Sequence, residues 1–142
     1  MNELSNEDPT TWPEQLELLE QYSHKLYSLA REMVALLQEH QESKWEEIYA
    51  SFAQAIGNAK TNRQRLMAIN AIHSIYGGMG SWNDFYLLAL GEAEDLRMSL
   101  SNAIYNLAET MKIQILSGPK EPKRSIWQKT KSVFFRSLLK GN

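Results

Sequence analysis

Apolar residues recur three or four positions apart through most of this chain, and that period directs it into amphipathic helices sharing one core. Leu16, Leu19, Tyr22, Leu26, Leu29, Met33, Leu36 and Leu37 trace one face of a helix running to about Gln41. It opens at Thr11-Trp12-Pro13-Glu14, where a hydroxyl and a carboxylate three residues on have capping-box spacing and Pro13 is tolerated in the first turn. Ser43-Lys44-Trp45-Glu46 repeats the cap spacing, and Trp45, Ile48, Tyr49, Phe52 and Ile56 continue a second face until Gly57-Asn58. Thr61 and Gln64 open a third helix with Leu66, Ile69, Ile72, Ile75 and Tyr76 as its stripe and Gly77-Gly78 as its stop. From Glu92, the residues Leu96, Leu100, Ile104, Leu107, Met111 and Ile115 predict another, stopped by Ser117-Gly118-Pro119.

Between the third helix and the last, Tyr76-Gly77-Gly78-Met79-Gly80-Ser81-Trp82-Asn83-Asp84 places three glycines in four positions. Glycine at that density marks a turn needing backbone angles that side chains disfavour. Ser81 is a good N-cap, with Asn83 and Asp84 in the first turn beyond it. Phe85 to Leu90 is apolar throughout and reads equally as a short buried helix or a strand. The expected fold is all-α: a single-domain bundle of four to five helices with a central Gly-rich turn. Residues 1–118 form the helical domain, and 119–142 form a basic amphipathic C-terminal segment.

The run Ser74 to Phe85 resembles the signature of a family of small bacterial helical proteins of unknown function. Those proteins carry an aromatic-Gly-Gly-Met-Gly-Ser-aromatic-Asn-Asp motif at mid-chain, and the likeness extends from about Trp45 to Met111. The resemblance implies a bacterial origin and a helical fold, and it transfers no activity. The segment after Gly118 lies outside it.

The formal charge of -2 conceals a division. Residues 1–116 hold sixteen Asp and Glu against eight Lys and Arg, whereas residues 117–142 hold seven bases against Glu121 alone. In that tail Lys123, Arg124, Trp127, Lys129, Lys131, Arg136 and Lys140 form a candidate surface for anionic lipid or nucleic acid. The same composition suits a tail folded back on its acidic body. There is no cysteine, which excludes disulfides and thiolate metal sites and suits a reducing compartment. The acidic start and the absence of an apolar run approaching ~20 residues place the expected chain in the cytoplasm.

Catalytic patterns are missing: no nucleophile elbow, no cysteine nucleophile, no Lys after the glycines as in a phosphate loop. Glu20 and His24 stand at i, i+4 but lack the second half of a di-iron motif. No cofactor and no metal are expected, and the chain reads as a non-enzyme. His73 reads as a half-buried histidine with a hydrogen-bonded ring.

The glycine turn itself has two readings: a nest of backbone N–H groups facing an anion, or a C-cap followed directly by an N-cap. Trp82 is either core or an exposed anchor. Tyr76, Met79, Ser81, Trp82, Asn83 and Asp84 are the candidate partner-binding residues, because large aromatics beside a loop dominate binding hot spots. The expected function is non-catalytic protein binding, most concretely an immunity or antitoxin-like inhibitor of a bacterial toxin. The alternative is a peripheral membrane or nucleic-acid adaptor acting through the tail.

Overall fold

The computed structural model describes residues 13–77, 80–87 and 91–117. They form four α-helices and no strand. These are α1 (Pro13–Glu39), α2 (Ser43–Asn58), α3 (Asn62–His73) and α4 (Glu92–Leu116), with 3-10 turns at Ser74–Tyr76 and Trp82–Asp84 between the last two. The Thr11 cap and the tail's seven candidate residues lie outside the described residues.

Helices α1 and α2 form an antiparallel hairpin, α3 packs on α2, and α4 closes the bundle against α1 and α3. The corner of the hairpin is a Schellman motif: Glu42 N–H bonds the Leu37 carbonyl at 2.9 Å and Gln41 N–H bonds that of Gln38 at 3.1 Å. Gln41 adopts the left-handed conformation there, with φ 59°. That bond pattern ends α1 and starts α2 within three residues. The expected cap at Ser43 is corrected: Glu42 is the N-cap, no side chain caps the helix, and Ser43 is already helical. The expected box at the start of α3 is present in full, with Gln64 N–H donating to Thr61 Oγ1 at 3.1 Å and Thr61 N–H to Gln64 Oε1 at 3.3 Å.

The apolar stripes meet in one core. Leu19, Tyr22, Leu26, Met33 and Leu37 of α1 are fully buried, as are Ile56 of α2, Ile69 and Ile72 of α3, and Ile104 and Met111 of α4. Two stripe members are displaced. Leu16 and Leu96 are exposed, and Leu18 and Arg97 point inward instead. Gly57 also has a role other than a left-handed stop: an added Cβ would stand 2.9 Å from Cδ1 of Tyr27, so its smallness lets that ring lie against α2. Gln15 ties the start of α1 to the end of α4, donating to the Gln114 carbonyl at 2.9 Å. Among the described residues no helix is long and apolar enough to cross a membrane.

Removing a real cap and a false one separates these assignments. Thr61→Ala is expected to cost about 1 kcal/mol, and Ser43→Ala less than about 0.5 kcal/mol, in urea unfolding followed by circular dichroism.

Candidate functional site

After α3 the chain tightens into the 3-10 turn Ser74–Tyr76 and then extends through Gly77, whose φ of -137° suits any residue. Gly80 is the position that requires glycine, with φ +76°. Its N–H donates to Asp84 Oδ2 at 2.6 Å, Ser81 Oγ accepts from Asn83 N–H at 3.3 Å, and Asn83 Nδ2 donates to the Tyr76 carbonyl. Two sequence expectations change here. The Gly80 N–H that an external anion would have used is taken by the protein's own carboxylate. Ser81 caps a three-residue 3-10 turn rather than a long helix. Helix α4 begins at Glu92, after Gly91 at φ 84° with no side-chain cap, and Glu92, Glu94 and Asp95 supply negative charge to its first turn. Of the run from Phe85 to Leu90, residues 85–87 are neither helix nor strand, and residues 88–90 lie outside the described residues.

The product of this turn is a buried indole. Trp82 is 1% exposed, so the core reading of this residue holds and the exposed-anchor reading is corrected. Trp45 and Tyr49 of α2 meet it edge-on, with ring centroids 5.1 and 4.9 Å away, and Phe85 stacks at 5.3 Å. Its Nε1–H donates to Ser101 Oγ on α4 at 2.7 Å. A buried indole N–H without an acceptor is costly, and Ser101 removes that cost.

The Ser101 hydroxyl donates in turn to Tyr76 OH at 3.3 Å, and Tyr76 donates to the Ser101 carbonyl at 3.0 Å. Tyr49 OH lies 3.2 Å from Tyr76 OH and donates to it, so each hydroxyl proton in the cluster is used once. Burial raises the pKa of both tyrosines above the phenol's ordinary value. They remain neutral donors.

Arg97 covers the other face. Its guanidinium stands 4.8 Å from the Trp82 ring centroid and 5.2 Å from that of Phe85. Glu94 holds it through a two-point pair, Nε to Oε1 at 2.8 Å and Nη2 to Oε2 at 2.6 Å, and also accepts the Leu87 N–H at 2.8 Å. Hydrogen bonding from Arg97 is the largest influence on Glu94 and lowers its pKa against the upward push of burial, with the Leu87 N–H and the Arg97 charge adding to the lowering. One carboxylate therefore joins the segment after the turn to α4 and keeps a cation over the aromatic cluster.

The outer wall of this assembly is a groove of about 420 Å³ lined by His73, Tyr76, Gly77, Asn83, Ser101, Asn102, Tyr105 and Asn106. A smaller hollow of about 110 Å³ beside Arg97 and Met98 shares Asn83, Ser101 and Asn102 with it. The two form a continuous polar surface across α4. His73 is half-buried beneath Tyr105, ring centroids 4.5 Å apart, and its Nε2 lies 3.3 Å from the Tyr105 carbonyl, which can only accept, so that nitrogen carries the proton. Its Nδ1 lies 3.8 Å from Glu109 Oε1. Three carboxamides and an aromatic face make a surface for hydrogen bonding without formal charge. Asp84 and Glu94, the carboxylates nearest the turn, are both occupied in structural bonds.

Of the expected site residues, Tyr76 and Asn83 line the groove, Trp82 supports it from within, and Ser81 and Asp84 shape the turn. Met79 lies outside the described residues. Arg97, Ser101, Asn102, Tyr105 and Asn106 were not anticipated. A usable signal was present in the Glu94–Arg97 spacing of an i, i+3 ion pair, and in Asn102 and Asn106 at i, i+4 beside the apolar stripe.

A family model described as a domain of unknown function (DUF6966) matches residues 38–94. The matched span runs from the end of α1 through α2, α3 and the turn to the first residues of α4. No curated protein and no solved structure matches the chain. The chain is thus similar over that span to a family whose activity is undefined.

The left-handed glycine and the Arg97 pair each give a measurable outcome. Gly80→Ala is expected to destabilise by about 1–2 kcal/mol, while Gly77→Ala, in extended backbone with open space for a methyl, changes stability by less than about 0.5 kcal/mol. For Glu94, a folded-state pKa below the unfolded one means its stabilisation is complete above the ordinary carboxylate pKa of about 4.3 and is lost as pH falls through the folded value. The stability difference between the protein and Glu94→Gln should stay constant from about pH 7 to 5 and narrow below about pH 4. Urea midpoints across that range would show it.

Proposed function

We propose that this protein is a non-catalytic binding protein whose partner docks on the polar groove built by the glycine turn and α4. The observation that carries the reading is the arrangement of Asn102, Asn106 and the half-exposed Tyr105 along one groove, with Asn83 fixed at its edge by its bond to the Tyr76 carbonyl and Trp82 and Arg97 bracing it from beneath. A rigid floor with outward carboxamides suits recognition of another protein's backbone and polar side chains, because little side-chain and loop order is left to impose on binding. Carboxylates tied up in bonds that hold the fold favour a scaffold over an acid–base centre.

The most concrete version is an immunity or antitoxin-like inhibitor of a bacterial toxin acting in the cytoplasm. Sixteen acidic residues against eight basic ones over residues 1–116 support it, since nuclease-type toxins are basic and opposite charge accelerates association. The test is titration calorimetry against the purified product of each gene that neighbours this one. Asn102→Ala with Asn106→Ala is expected to weaken binding at least about tenfold. Both residues are exposed, so the unfolding free energy should move by less than about 0.5 kcal/mol. Undiminished binding by the double variant would reassign the docking surface, and no binding by the unaltered chain would end the inhibitor reading.

A further inference from the structure

A second groove, of about 800 Å³, lies between α1, α2 and the connection to α3, and it shares no residue with the polar groove. Its order along the hairpin follows from one contact. Tyr27 lies against Gly57, so in an antiparallel pair the turn of α1 before Tyr27, carrying Ser23 and His24, faces the chain just past α2, carrying Lys60. The Arg65 Nε to Ser23 Oγ bond at 3.3 Å fits the same register. The turn after Tyr27, carrying Arg31, faces Ala53 and Gln54.

Charge in this groove is opposite in sign to the body around it. Lys60 and Arg65 stand at the end before Tyr27, together with Glu20 as the one acid among the lining residues, and Arg31 stands at the other end, in a stretch of chain where acids outnumber bases two to one. Neither Arg31 nor Lys60 forms an ion pair with a described residue. The Tyr27 ring is 40% exposed and forms one wall over the small residues Ala53 and Gly57. Gln54 and Asn58, one turn apart on α2, present two carboxamides on the same side.

We infer that this groove binds a mononucleotide-like organic phosphate, its base against Tyr27 and its phosphate at the His24–Lys60 end. An aromatic face stacks a planar base without regard to its identity, carboxamides pair with a base edge through a donor and an acceptor, and a lysine ammonium meets the phosphate as a point charge. The volume lies within the range of small-molecule sites, about 300–1,000 Å³. Gly57 gains a purpose in this arrangement, since any larger residue displaces the ring that forms the wall.

The experiment is calorimetric titration of the full chain with AMP, UMP, adenosine and inorganic phosphate, with backbone amide shifts recorded by NMR. AMP and UMP are expected to bind at least about tenfold more tightly than adenosine or phosphate, shifting the amides of Tyr27, Gly57 and Lys60, and to weaken as salt rises. Lys60→Ala should weaken AMP about tenfold while leaving adenosine unchanged, and Tyr27→Ala should weaken both. Both side chains are exposed, and a circular dichroism melt verifies folding. Equal binding of AMP and adenosine, shifts confined to residues outside the groove, or no saturation by either nucleotide at about 10 mM would overturn the proposal.

Discussion

The insertion of Trp82 between α2 and α4 is the contact on which the arrangement of the second half of the chain depends. Truncating a buried aromatic of this kind to alanine costs about 3–5 kcal/mol, a large share of the about 5–15 kcal/mol that holds a domain folded. Each edge-on or stacked neighbour adds about 0.5–1.5 kcal/mol beyond burial. The indole also fixes position, because its single donor must meet Ser101. With that bond made, α4 can neither slide nor rotate without stranding an N–H, and Tyr76 and Tyr49 are drawn into the same network.

The glycine turn serves that placement. Gly80 turns the chain back, Asp84 closes the turn on the Gly80 N–H, and Asn83 ties it to the end of the preceding 3-10 segment. The polar side chains that look most available for chemistry are the ones holding the loop shut. Above the closed loop stands a polar surface, with Asn102 and Asn106 exposed over an aromatic interior. Arg97 contributes to both roles, packing its charge on two rings while Glu94 neutralises it. Arg65 is a second buried guanidinium, bonded to Asn62 Oδ1 at 2.8 Å within α3 and reaching Ser23 of α1.

Much of the architecture was legible in advance where the signal is local. The box at Thr61 and Gln64 depends on three consecutive peptide units, and it formed as its spacing implies. The four described helices follow their apolar periods for the same reason. Ser43 shows the limit: a cap residue in the right spacing was bypassed because the Schellman bonds of Gln41 and Glu42 had already committed the backbone to helix one residue earlier. Leu96 shows another, since a guanidinium paired with Glu94 and laid on two rings took the inward position that hydrophobicity alone would have given to leucine.

By itself the sequence determined the helical period, the caps that depend on neighbouring residues, the excess of acid in the body and the position of the turn, because each is set by interactions spanning a few residues. Tertiary structure decided which way Trp82 points, which carboxylates are occupied and which polar residues share a groove. Those outcomes join residues tens of positions apart: Trp82 to Ser101, Tyr49 to Tyr76, Tyr27 to Gly57. No local pattern encodes such pairings, since they exist only once the packing of α1 to α4 has brought the partners within bonding distance.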